Sequence, residues 1–321
     1  MDFLANYFGS LNPMSFLSAL PGNIAQGIIW GLMGLGVFLT FKLLNFADLS
    51  VDGSFATGGA VTAVMLINGC PVWATIIVAI LAGLVAGLVT GLLDTLLGIP
   101  DILAGILTQI ALYSINLNIM GKSNLPISYR NYTLVVSASN INMAILVGLG
   151  ICAVVIAAMY WYFGTEQGST IRSTGSNPAM SKAQGININF TKVIALALSN
   201  GLVALSGSLF AQYQGFADIN MGRGAIVIGL AAVIIGEVLG EAIFRKHMNF
   251  IIRMLFVIVG GILYYIAMGI VLWLKMPTDD TKLFTAIIVA IFLAVPYLQK
   301  KRKTSFKKVA KMNAKNAQKE G

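Results

Sequence analysis

Six long stretches of the chain contain no Lys, Arg, Asp, Glu or His: residues 3–41, 53–93, 102–121, 131–165, 254–274 and 283–299. A membrane helix needs about 20 mostly apolar residues, and several of these stretches hold one or more such lengths. With turn and breaker residues as punctuation, the pattern predicts nine spans. They fall near 22–44, 52–67, 72–93, 101–119, 144–163, 191–213, 224–240, 250–274 and 282–299. Before them, Phe3, Leu4, Phe8, Leu11, Phe16 and Leu17 give residues 1–21 the reading of an interfacial segment. The expected fold class is all-α: a polytopic membrane protein.

The chain also matches itself. Shifted by 170 residues, positions 31–65 align with 201–235 without a gap, and eight of the 35 pairs are identical. Phe46-Ala47-Asp48 faces Phe216-Ala217-Asp218, each after the same kind of helix. The copies begin at spans one and six, five spans apart, so they have opposite orientations. An inverted-topology repeat is a recurring device of transporters, with the pathway between the halves. The halves are expected at about 22–163 and 191–299, joined by a loop at 164–190. In both copies a Gly- and polar-rich break follows, at Asp48–Ser54 and Asp218–Gly224. Irregular backbone at membrane depth is tolerated only against protein or a watery cavity, whereas ordinary interfacial turns would need neither. The pathway reading makes Asp48, Ser50, Asp52, Ser54, Asp218 and Asn220 the candidate lining residues, with the breaks at opposite mouths.

Within the spans, Ala79, Gly83, Gly87 and Gly91 recur at four-residue spacing, which predicts close helix–helix packing inside the chain. Gln109, Ser114, Asn116 and Asn118 make span four unusually polar, and Asn200 and Gln212 stand in span six. Asp94 and Glu237 fall near span ends, where a solvated role is as plausible as a functional one.

Composition agrees with the pattern. Only 10% of the 321 residues are charged, against about 25% in a soluble domain, and the mean hydropathy is +0.84. Two cysteines and one histidine exclude a Cys/His metal cluster or a disulfide framework. The net charge of +9 is concentrated, since nine of the 21 basic residues lie in 300–321. That segment reads as a cytoplasmic tail that meets lipid headgroups rather than nucleic acid. Threading nine spans back from the tail leaves sixteen basic residues inside and five outside, as the positive-inside rule requires.

The loop after span five contains a short helix signature at 177–185. Ser176 or Asn177 can cap it, Pro178 suits the first position, and Gly185 suits the residue past its end. Exposed Ala179 and Met180 would then form a docking knob. The run Arg172-x-x-Gly175-x-Asn177-Pro178-x-Met180, ending in Gly185-Ile186-Asn187, resembles the coupling segment of branched-chain-amino-acid-type ABC importer permeases. Asn45–Phe55, Leu112–Leu117 and Gln212–Asp218 are most similar to the tryptophan/tyrosine permease subgroup, and the resemblance covers about residues 22–300. It implies the helical fold of vitamin-B12-type importers, ATPase coupling through Arg172, Asn177, Pro178, Ala179, Met180 and Gly185, and a bacterial cell membrane location. The implied partners are two ATP-binding subunits, an extracytoplasmic solute-binding lipoprotein, and a second permease copy or paralogue. No Gly-x-x-x-x-Gly-Lys-Ser/Thr motif occurs, so ATP and Mg are expected on the partner, with no cofactor or catalytic residue in this chain. An ion-coupled secondary transporter is the alternative.

Overall fold

A computed structural model describes residues 13–128, 132–244, 248–274, 283–292 and 294. Among these, seven helices are long and apolar enough to cross a membrane. The first runs Pro13–Leu44, as helix α1 (Pro13–Val37) continued by a π-helical turn, Phe38–Leu44. Then come α2 (Val51–Ile67), α3 (Val72–Thr95), α4 (Asp101–Met120), strand β1 (Asn124–Pro126) and α5 (Ile141–Gly164). The connecting loop holds α6 (Glu166–Ser176) and α7 (Pro178–Ala183). After it follow α8 (Ile188–Gln214), β2 (Phe216–Asp218), α9 (Ala225–Phe244) and α10 (Phe250–Trp273), and a shorter apolar helix, α11, at Leu283–Phe292.

The seven long helices fall at seven of the nine expected spans, and at 52–67 and 282–299 the described residues hold only the shorter apolar helices α2 and α11. Residues 13–21, expected in an interfacial segment, are instead the first turns of α1, which carries Pro21 inside the helix. The short α2 begins where expected, after an irregular stretch in which the chain leaves the π-helical turn through Asn45 in the left-handed region (φ 57°). Residues 1–12 and the basic tail at 300–321 lie outside the described residues.

α1 and α8 are the most enclosed of the long helices, while α4 and α5 present apolar side chains such as Ile110, Leu146 and Val154 outward. An outer face of that kind suits hydrocarbon, not water. Between helices the contacts are steric and polar rather than generically hydrophobic. On α3, a methyl added at Gly83 or Gly87 would overlap the backbone carbonyls of Asn200 or Leu196, and at Gly91 it would lie 2.8 Å from Val193 Cα. The small stripe of α3 therefore seats α8 of the same chain. Trp30 stacks on Phe55 with ring centres 4.7 Å apart and meets Phe210 edge-on, tying α1, α2 and α8 together. Ser206 donates to Ile29 O (2.7 Å), Ser199 to Gly36 O (2.8 Å) and Thr62 to Ser208 (2.7 Å) across the same junctions.

The bundle has two distinguishable ends. At one, Lys42 pairs with Glu237 (2.8 Å) and Lys192 with Asp94 (2.9 Å), beside α6 and α7. At the other, β1 and β2 form a two-stranded antiparallel ribbon that pairs Asn124 with Asp218.

Candidate translocation cleft and coupling loop

The first break, residues 45–50, enters from the ion-pair end with Phe46, Asp48 and Ser50 buried and Asn45 and Ala47 exposed. Phe46 lies under the ammonium of Lys192, 5.6 Å from ring centre to Nζ, and two residues later Asp48 reaches Asn200 on α8. Asp48 accepts from the backbone N–H of Ser50 (2.9 Å), from the Ser50 hydroxyl and from Asn200 Nδ2 (2.8 Å). The second amide hydrogen of Asn200 goes to Leu196 O (3.0 Å). A buried carboxylate is tolerable when its lone pairs are satisfied in this way. Asp48, Ser50 and Ser54 are each at most 2% exposed. The partners of Asp48 and Ser50 are protein groups, so these two form a structural node, whereas the Ser54 hydroxyl finds no hydrogen bond among the described residues.

The second break starts at the ribbon end. Asp218 Oδ1 accepts from the backbone N–H of Asn220 (2.7 Å), the same turn that Asp48 makes with Ser50, 170 residues earlier. Gly215 (φ 78°) stands in the left-handed region, as Asn45 does at the matching position. Here the burial differs. Asp218 is half-buried and Asn220 exposed, at the rim. From there the chain runs inward along α2, until Gly222 meets the backbone of Asp52 with no room for a side chain.

Asp52 then joins the breaks. Its Oδ2 accepts from Gly224 N (2.9 Å) and its Oδ1 from Ile226 N (2.9 Å), so a residue of α2 caps the N-terminus of α9. The positive end of a helix dipole favours a carboxylate there. The breaks thus enter from opposite ends but meet inside, contrary to the expectation that they stay at opposite mouths.

Beside this junction lies a cleft of about 300 Å³, lined by both apolar and polar groups, between α2, α4 and the second break. Of the six pathway residues expected from sequence, Asp52 alone lines it, joined by Gln109, Tyr113, Asn116, Ile219 and Arg223. Gln109, Tyr113 and Asn116 follow i, i+4, i+7 spacing, one face of α4. That spacing was the available signal.

The loop has the geometry its residues foretell. Asn177 Oδ1 accepts from Met180 N (3.0 Å), Pro178 opens α7, and Gly185 takes φ +81° just beyond it. Asn177, Pro178, Ala179 and Arg172 are exposed, and Met180 is 58% exposed. Unforeseen was α6, which packs on the π-helical turn so closely that Gly175 abuts Leu43 O. Asp94 and Glu237 belong to this end, each paired with a lysine from another helix.

The family model for the permease component of the branched-chain amino acid transport system matches residues 22–296. The chain belongs to this ABC-type permease family. The permease is 42% identical to the tyrosine transport system permease protein of Clostridioides difficile (strain R20291), over 93% of this chain and 99% of that one. It is 24% identical to the D-allose transport system permease protein of Escherichia coli (strain K12), over 80% of this chain and 77% of the relative. Among solved structures, PsaBC from Streptococcus pneumoniae in complex with Fab aligns at TM-score 0.49 and 17% identity, covering 91% of this permease and 94% of that chain.

Proposed function

We propose that this permease forms the membrane pathway of an ATP-driven importer for amino acids, aromatic ones foremost. The observation that carries the coupling is the capped α7, whose exposed Ala179 and Met180 sit on a loop rigidly joined to the π-helical turn through α6. A docked ATPase pushing on α7 moves α6 against Leu43, and hence the first break. The substrate class follows the tyrosine permease relative, whose alignment runs nearly end to end. The halves act as inverted repeats, a reading supported by the paired turns at Asp48 and Asp218 and the paired left-handed residues Asn45 and Gly215. The end carrying α7 faces the cytoplasm, a reading supported by the excess of basic residues assigned to that side. Two copies, or one copy and a paralogue, form the complete pathway with two ATPases and an extracytoplasmic binding protein, since closed two-fold assemblies are the commonest.

The test is purification of the tagged chain from its own membranes. A co-purifying ATPase, lost on Met180→Asp without loss of folded permease, is the expected result. A permease that purifies alone and carries amino acids on an ion gradient overturns the reading.

A further inference from the structure

The cleft contains polar groups that the fold leaves without partners. Asn116 is 1% exposed, yet neither its Oδ1 nor its Nδ2 finds a hydrogen bond among the described residues. A buried amide normally satisfies both, and an empty pair is costly unless something else comes to it. Arg223 lines the same space, and among the described residues its guanidinium has no ion-pair partner. The carboxylate beside it, Asp52, is already spent on the N–H groups of Gly224 and Ile226. A guanidinium that borders a cleft without a carboxylate of its own chain to pair with can take one from a ligand.

The lining therefore offers one uncommitted cation, an amide that can both donate and accept, and an apolar wall with a phenol. From these we infer that the cleft is a transit site for a single α-amino acid with an aromatic or bulky apolar side chain. Its carboxylate pairs with Arg223, in the bidentate geometry guanidinium favours. Its ammonium donates to Asn116 Oδ1 and Gln109 Oε1. Its side chain lies on Tyr113 and Ile219. A neutral sugar brings no charge to pair with the guanidinium, and a volume of about 300 Å³ is at the small end for ligand pockets, which suits one amino acid and not a peptide. The site rests on the permease reading above and deepens it by naming the residues that meet the cargo.

The test uses the full-length permease in lipid nanodiscs and 3-fluoro-L-tyrosine as the probe, observed by ¹⁹F line broadening. L-Tyrosine should displace the probe. Tyramine, which lacks the carboxylate, should not. Arg223→Gln should weaken binding at least tenfold, about 1.4 kcal/mol, and Arg223→Lys should recover part of the loss. Arg223 is exposed, so neither variant should disturb the fold, and gel filtration checks this. In Asn116→Leu, 3-(4-hydroxyphenyl)propanoate should compete as well as L-tyrosine, because the ammonium acceptor is gone; a merely structural role for Asn116 would not change that ranking. Equal binding by wild type and Arg223→Gln, equal displacement by tyramine, or no broadening at millimolar probe overturns the site. ATP-driven uptake is measured in parallel with the co-purified ATPase. Uptake without Arg223-dependent binding overturns the site and leaves the function standing. Arg223-dependent binding without ATP-driven uptake does the reverse.

Discussion

Asp52→Ala removes the carboxylate that hydrogen-bonds α2 to the start of α9. Two backbone donors, Gly224 N and Ile226 N, lose acceptors at 2.9 Å each. Losing a helix cap costs about 0.5–2 kcal/mol, and leaving a buried donor without a partner costs about 1–3 kcal/mol. Gly224 and the site around it are only partly buried, so water recovers some of this. A net loss of about 2–4 kcal/mol is expected, a large share of the roughly 5–15 kcal/mol that holds a typical domain folded. With about 2–4 °C per kcal/mol, the unfolding midpoint should fall by roughly 4–16 °C. Asp52→Asn keeps one oxygen acceptor and should lose at least half as much, since the charge that complements the helix dipole also disappears. Asp218→Ala, at the rim of the second break, is the control. Its acceptor serves the exposed Asn220 N–H, where water substitutes, so it should cost under about 1 kcal/mol. Intrinsic tryptophan fluorescence during heating of the nanodisc-embedded chain reads all three. If Asp218→Ala destabilised as much as Asp52→Ala, or Asp52→Ala left the midpoint unchanged, the inward run of the second break would be wrong.

Gly87→Ala should lower the midpoint, by about 1–3 kcal/mol of overpacking, because a methyl there overlaps Leu196 O. Gly150→Ala on α5, where nothing stands within 4 Å, should be neutral or slightly stabilising on the same heating assay. Gly175→Ala should separate α6 from the π-helical turn and reduce substrate carried per ATP hydrolysed, read as an uptake-to-hydrolysis ratio in proteoliposomes. Asn200→Leu should leave Asp48 with only its Ser50 donors and cost about 1.5–3 kcal/mol, seen as a lower midpoint on the same heating assay.

Sequence made the helices legible because long charge-free stretches mark most of their length, and because Gly83, Gly87 and Gly91 mark the α3–α8 contact by spacing alone. The α7 helix was legible for a different reason: Asn177, Pro178 and Gly185 each have one conformational use, and all three agree. α6 was not, since Gly168, Gly175 and several Ser and Thr residues give it little intrinsic helicity. It is fixed instead by the Thr165 cap and by packing on Phe163 and Leu43. The two Phe-Ala-Asp breaks look alike in sequence, yet one is sealed against Asn200 while the other lies at the rim. That difference depends on which helix each break meets, which no local pattern records. The cleft escaped notice likewise, because Asp52, Asn116 and Arg223 converge from three elements far apart in the chain, although the polar face of α4 was visible in outline.

The central claim is that ATP hydrolysis on a partner drives amino acid movement through this permease. The most direct test is uptake of radiolabelled L-tyrosine into proteoliposomes containing the chain with its co-purified ATPase and binding protein. The account predicts accumulation that requires ATP and Mg, persists when ionophores collapse the proton and sodium gradients, and vanishes with Met180→Asp. Accumulation driven by an ion gradient without ATP, with Met180→Asp indistinguishable from wild type, would contradict it.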